Sequence, residues 1–297
     1  MINLSKNHLG VLMVLVSSVF FAFVPNSAKI AMEEGSSLFF LILSRYAIGA
    51  VFLVPILFFK KNSFRVPKHL IWRIMVSGLL ALFLIAATYH AVNFLDIGLV
   101  LLILYSFPLG VALVSHLRGK EKITQNQWIC MAMVMIGLLI MIYDGQAKIN
   151  LYGLAVSFFG LFCFVFFVIQ SNALAMTIGS SSLNFFISIS GLVALSLLHL
   201  FFPQSTSIAM PGSAKGIMAI FSNGFFYIMS WVLFFKGARY IGAIRASMMA
   251  CVEPLFAALL AVFFLHQALS TVEWIGFFIV LSSIFLFEKF SSKHKQG

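Results

Sequence analysis

Ten apolar stretches, at about residues 9–31, 37–59, 70–92, 96–117, 127–143, 151–173, 181–202, 214–236, 243–265 and 271–288, take up most of this 297-residue chain. A helix needs about 20 apolar residues to cross the hydrocarbon core of a bilayer, so ten crossings consume roughly 200 residues. The remainder must supply nine loops and two tails, which leaves no room for a soluble domain. In lipid the backbone has to satisfy its own hydrogen bonds, and a continuous apolar run does so as a helix. Composition points the same way. Hydrophobic residues make up 62% of the chain and charged ones 9%, against roughly 25% charged in soluble domains. An ordinary soluble enzyme, a disordered chain and a DNA-binding domain are excluded. The expected class is an all-α membrane protein of ten transmembrane helices.

The net charge of +11 would suit a nucleic acid, but its placement is that of a membrane protein. Basic residues favour cytoplasmic loops. With the N-terminus inside, Lys6, Lys60, Lys61, Arg65, Lys68, Arg73, Arg118, Lys120, Lys122, Lys236, Arg239, Arg245, Lys289, Lys293 and Lys295 are inside, 15 of the 19 Lys and Arg. Lys148 and Lys215 fall outside, and Lys29 and Arg45 lie within helices. Both termini are therefore expected in the cytoplasm. The first stretch exceeds a signal-peptide core and contains Pro25, Asn26 and Lys29, so it reads as a retained helix. Cys130, Cys163 and Cys251 all sit in apolar runs and read as small core residues rather than a disulfide framework.

The chain repeats itself. At a shift of 146 residues, Pro108-Leu109 meets Pro254-Leu255, Ala112-Leu113 meets Ala258-Leu259, and Trp128-Ile129 meets Trp274-Ile275. In the same register Glu121 faces Gln267 and Thr124 faces Ser270. At a shift of 143, Gly10 meets Gly153, and Phe21 and Phe23 meet Phe164 and Phe166. The expected division is 1–146 and 147–297. Five helices per half is an odd number, so the halves enter the membrane in opposite directions. Charge follows: Arg118, Lys120 and Lys122 correspond to Phe264, His266 and Ala268, while Asn93 and Leu99 correspond to Arg239 and Arg245. Inverted repeats of this kind place a substrate site near the midplane.

The run from Glu253 to Leu260, followed by Leu265 to Ser270 and Trp274-Ile275-Gly276, resembles the drug/metabolite transporter superfamily, specifically its EamA-type ten-helix carriers. The first half carries the sister pattern in Pro108, Gly119 to Thr124 and Trp128. Lys29 and Arg45 match positions where that family often has those residues. Gln267 departs from it, standing where many members have glutamate. Val19-Phe20-Phe21-Ala22 also departs, replacing a common tryptophan-glycine start. The resemblance implies a carrier of small metabolites in the bacterial inner membrane, often of amino acids or amines. It chooses none among the superfamily's other substrates, which include nucleotide sugars and sugar phosphates.

A charge at the bilayer centre costs about 2.5–3.5 kcal/mol on the insertion scale, so each such residue needs a reason. Glu253 lies about ten residues into the ninth span, roughly 15 Å deep at 1.5 Å per residue. Either it binds a cationic group or a coupling proton, or it is a structural carboxylate paired with a helix-borne Arg or Lys. Pro254 removes a backbone hydrogen bond and bends that helix, and Pro108 should do the same in the fourth span. Arg45 and Lys29, in the outer third of their helices, either attract an anionic substrate group or pair with Glu33 or Glu34. Lys29 can also snorkel to the headgroups. Asn223, Tyr227 and Trp231 follow one another at i+4 and give one helix face a polar-aromatic stripe suited to a cavity wall. Tyr105 and Ser106 precede Pro108 and suit the same role. Asn26, beside Pro25, marks either a break in the first helix or an interhelical hydrogen bond.

No His-x-x-x-His or Glu-x-x-His pair suggests a metal centre, and no phosphate-binding loop suggests ATP hydrolysis. No cofactor, metal or nucleic acid is expected. The expected partners are the lipid bilayer, a small-molecule substrate and a coupling proton, and a homodimer is left open. The leading expectation is a secondary transporter of a small polar metabolite, such as an amino acid or amine, with export as the favoured direction. It would work by alternating access around a midplane cavity. An importer or exchanger of a nucleotide-type or phosphorylated metabolite is the alternative. A membrane-embedded enzyme acting on a lipid is the rival class, and it fits poorly because the acids are scattered.

Overall fold

The computed structural model describes residues 6–59, 64–119, 123–142, 150–265 and 270–293. Among them the regular structure is helical, without strands: α1 (Lys6–Glu33), α2 (Leu38–Phe58), α3 (Lys68–Ala91), α4 (Ile97–Tyr105), α5 (Phe107–Leu117), α6 (Gln125–Ile142), α7 (Leu151–Ile178), α8 (Ser180–Phe201), α9 (Ala214–Ile241), α10 (Ala243–Ala250), α11 (Glu253–Leu265) and α12 (Thr271–Lys293). Taking α4 with α5 and α10 with α11, ten helices are long and apolar enough to span a membrane. Lys60, Lys61, Lys120, Lys122, Lys148 and Lys295, with Glu121, Asp144, His266, Gln267 and Ala268, lie outside the described residues, as does the 146/147 boundary. Cys130, Cys163 and Cys251 are buried free thiols.

The fourth and ninth spans are each two helices. In the fourth, the turn at Ser106 separates α4 from α5, and Pro108 sits in the first turn of α5. In the ninth, Cys251 and Val252 separate α10 from α11, whose first residues are Glu253 and Pro254. The sequence reading placed these prolines inside bent helices. They stand instead at the start of a new helix, where a missing N–H leaves no bond unmade and the fixed φ suits the first turn. Phe107 and Glu253, the first residues of α5 and α11, are 146 positions apart.

Pro25 behaves differently. A break in the first helix was one expectation there, yet α1 runs unbroken through Pro25. Polar side chains add hydrogen bonds to the carbonyls around it. Asn26 Nδ2 donates to Ala22 O at 3.1 Å, Ser27 Oγ to Phe23 O at 2.8 Å, and Asn223 Nδ2 to Val24 O at 2.8 Å. Such donors are what let a membrane helix tolerate proline. Two one-residue links between helices use glycine. Gly179 and Gly242, with φ of 85° and 91°, join α7 to α8 and α9 to α10 in backbone conformations that L-residues avoid.

The chain packs as two compact units. One comprises Met1–Leu79 and Gln170–Tyr240, the other Leu80–Ile169 and Ile241–Gly297, so each draws on both halves of the sequence. In the first unit, Ala28, Ala31, Leu41, Ala219 and Ile220 form one apolar cluster and Leu53, Ile228 and Val232 another. In the second, Ala91, Leu95, Val100 and Leu104 pack together, and α6 lies along α12.

At one end of the first unit, the segment before α9 is pinned to the α1–α2 turn. Ser37 N donates to Ala209 O at 3.0 Å, Gly212 N to Glu34 O at 3.2 Å, and Ser213 Oγ to the Glu34 carboxylate at 2.6 Å. Lys215 Nζ is 3.5 Å from Glu34. The Ser213 hydrogen bond, with Lys215 behind it, holds the Glu34 carboxyl below the ordinary glutamate range. A depressed folded pKa gives a contribution present above the unfolded value and lost as pH falls through the folded one. Ser213→Ala is therefore expected to lower the thermal midpoint at neutral pH, with the difference from wild type shrinking as pH falls below the ordinary glutamate range. An unchanged gap across that range would show that the hydroxyl acts without the carboxylate.

Candidate substrate-binding residues

Among the described residues, two polar clusters gather side chains that the sequence singles out, one in each unit. In the first, Arg45 of α2 is 4% exposed. Its Nε donates to Asn223 Oδ1 at 2.8 Å, and its guanidinium carbon lies 4.8 Å from the centre of the Tyr227 ring. Asn223 of α9 is fully buried. Through Nδ2 it also reaches Val24 O, beside Pro25, and Ser27 Oγ at 3.3 Å. One amide thus joins α1, α2 and α9. Four residues further along α9, Tyr227 lies edge-on to Tyr46, centroids 6.2 Å apart, and Trp231 lies edge-on to Phe21 at 5.0 Å.

Among the described residues no carboxylate pairs with Arg45, and the expected partners Glu33 and Glu34 are engaged elsewhere. Lys29 is 3.9 Å from Glu33, one turn along α1, and both are well exposed. That is a solvated surface pair worth little energetically. Asn26 and Ser27 line a cavity of about 580 Å³ between α1 and α9, with Ser222, Phe226 and Lys215 on its other side.

In the second unit, Glu253 opens α11, half-buried, and accepts a hydrogen bond from Tyr105 Oη at 3.1 Å. At the first turn of a helix the unpaired backbone N–H groups favour a negative charge. Among the described residues no Lys or Arg pairs with Glu253, so the paired structural carboxylate that the sequence allowed is not what is seen. Cys251 Sγ lies 3.9 Å from Tyr105 O, which brings the two helix breaks side by side. Ser106 Oγ turns back onto Ile103 O at 2.6 Å and caps its own helix.

Sequence reading missed Ser27 and Tyr46, which look like routine helix residues until Asn223 and Tyr227 are placed beside them. It also passes over Glu288, which lies within the last span. There it accepts from Arg245 Nε at 3.2 Å and also pairs with that guanidinium through Nη2. A glutamate inside the 271–288 stretch was the available signal. Its position three residues from the end of α12's apolar window disguised it as a headgroup residue.

The chain matches the EamA-like transporter family over residues 8–143 and again over 149–288. It is 35% identical over 98 residues to the uncharacterized inner membrane transporter YicL of Salmonella typhimurium, covering 31% of this chain and 30% of that protein. It is 22% identical over 231 residues to the uncharacterized transporter sll1319 of Synechocystis sp., covering 76% and 70%. To Protein PecM of Dickeya dadantii it is 24% identical over 230 residues, covering 76% of each. A solved crystal structure shares the fold with a TM-score of 0.76 at 13% identity, over 93% of this chain and 97% of the other.

Proposed function

Because the chain belongs to the EamA-like transporter family, as a multi-pass membrane protein of ten spans, we propose that it is a secondary transporter of a small polar metabolite. In this reading it exports an amino acid, an amine or a related compound across a bacterial inner membrane, with both termini in the cytoplasm. Two inverted repeats, 1–146 and 147–297, alternate access to a midplane cavity. The family match to two consecutive stretches supports the repeats, as do the starts of α5 and α11 at positions 146 apart. The chain has no phosphate-binding loop to harness ATP, so transport runs on a gradient or on exchange. The family and its relatives are transporters, which supports a carrier over a lipid-modifying enzyme.

The observation that carries the proposal is Glu253. A carboxylate at a helix break inside a span, held by one tyrosine hydroxyl and by no Lys or Arg among the described residues, is available to a cation. Intramembrane acids of this kind mark substrate and proton pathways. The Glu253→Gln variant keeps the shape and the Tyr105 contact but removes the charge. Untargeted mass spectrometry of cells and medium should show a metabolite that shifts with wild type, and with Glu253→Gln by roughly a tenth as much, equivalent to about 1.4 kcal/mol. An equal shift from a well-folded variant would leave the transporter and remove Glu253 from its mechanism.

A further inference from the structure

Among the described residues, Arg45 is the most buried charge without an ionic partner. It is 4% exposed, and its one hydrogen bond to a described residue uses Nε. The two Nη groups, which form the fork that matches a carboxylate, make none. One face of the guanidinium is covered by the Tyr227 ring, and Asn223 fixes the Nε edge. The in-plane Nη edge is left without a hydrogen bond to a described residue and is held in one orientation.

An uncompensated buried cation is costly unless something supplies the opposite charge. Asn223 explains why this chain does not supply it. An amide at that position orients Arg45 without neutralising it, where an aspartate of nearly the same shape would do both. Asn223 is itself committed, since Nδ2 reaches Val24 O and Ser27 Oγ. Tyr227, over the guanidinium, and Tyr46, against Tyr227, are large rings with apolar faces and no charge. Among the described residues no second Lys or Arg is hydrogen-bonded to Arg45 or Asn223, so one guanidinium balances a single negative charge, whereas a phosphate monoester would leave charge over.

We propose that the Nη edge of Arg45 is the binding site for a monoanionic carboxylate on the transported molecule, with Asn223 as its positioning residue. This rests on the transporter reading for what happens to the bound molecule, but not for the binding itself. Occupancy also has a mechanical consequence. The bound anion pulls on a guanidinium linked through Asn223 to the carbonyl beside Pro25, so α1, α2 and α9 respond together.

The test uses the purified full chain in lipid nanodiscs, titrated with acetate, phenylacetate and indole-3-acetate, each beside its neutral carboxamide. Binding is read from thermal stabilisation and from tryptophan fluorescence. At least one acid is expected to bind saturably and roughly tenfold or more tighter than its amide. Arg45→Gln should abolish that preference, and Arg45→Lys, which keeps the charge but not the fork, should retain part of it. Asn223→Asp should also abolish it by providing an internal counter-charge, with some loss of melting temperature because an oxygen replaces the Nδ2 donor to Val24 O and Ser27 Oγ. This variant carries the test if Arg45→Gln fails to fold. Equal binding of acid and amide, no acid binding at all, or an acid preference that survives Asn223→Asp would each overturn the proposal. Flux measured in parallel separates the two readings. A metabolite moved without any acid preference leaves the transporter and removes the Arg45 site. Acid preference without flux of any metabolite leaves the site and removes the transporter.

Discussion

Arg245→Met is expected to lower the stability of the protein by about 3 kcal/mol, through the carboxylate it abandons. Arg245 is 5% exposed and meets Glu288 in a two-pronged pair, while the Glu288 side chain keeps a quarter of its surface. Removing one partner of a fully buried pair costs about 3–5 kcal/mol, and the partial exposure of Glu288 sets the value at the lower end. The pair itself contributes much less than this figure, since burying both charges is expensive to begin with. The double variant Arg245→Met, Glu288→Leu should therefore recover to within about 1 kcal/mol of wild type. Denaturation in mixed micelles checks both. A double variant as weak as the single one would show that Arg245 matters for its packing and not for its charge.

Gly276→Val is expected to separate α12 from α6, with a loss of about 3 kcal/mol or failure to assemble. A Cβ at Gly276 would lie 2.6 Å from Gly137 O and 2.8 Å from Met141 N, and one at Gly137 would lie 3.0 Å from Gly276 O. These are backbone atoms, which cannot rotate away. Within lipid the apolar effect gives helices little reason to associate, so close approach and interhelical hydrogen bonds do that work. One such bond, Gln127 Nε2 to Ser291 Oγ at 3.0 Å, joins the same two helices and would be strained with them. Gly212, where an added Cβ meets nothing within 4 Å, provides the control. Gly212→Ala should leave the melting midpoint close to wild type, and a comparable loss there would show that the Gly276 effect is not a matter of contact.

Much of the candidate site was legible residue by residue and illegible as a set. Arg45, Asn223, Tyr227, Glu253 and Tyr105 all stood out because a polar group in lipid needs a reason. That Arg45 holds Asn223 across 178 positions, and that Tyr105 serves Glu253 across 148, had no signal in the chain. Lys29 stood out for the same reason as Arg45 and turned out to be an exposed partner of Glu33. The two cations differ in what surrounds them, which sequence distance conceals.

The sequence by itself determined the membrane, the ten spans and the neighbourhood of both helix breaks. These follow from local chemistry, namely the length of an apolar run and a proline's missing N–H. Which half of a span joins which unit, which charges are compensated and which glycines touch was decided only by the tertiary structure. In a soluble protein the apolar stripe of a helix announces its inward face. Here lipid-facing and core-facing surfaces are equally apolar, so periodicity does not separate them. The polar contacts that single out neighbours form only once helices from both ends of the chain have met.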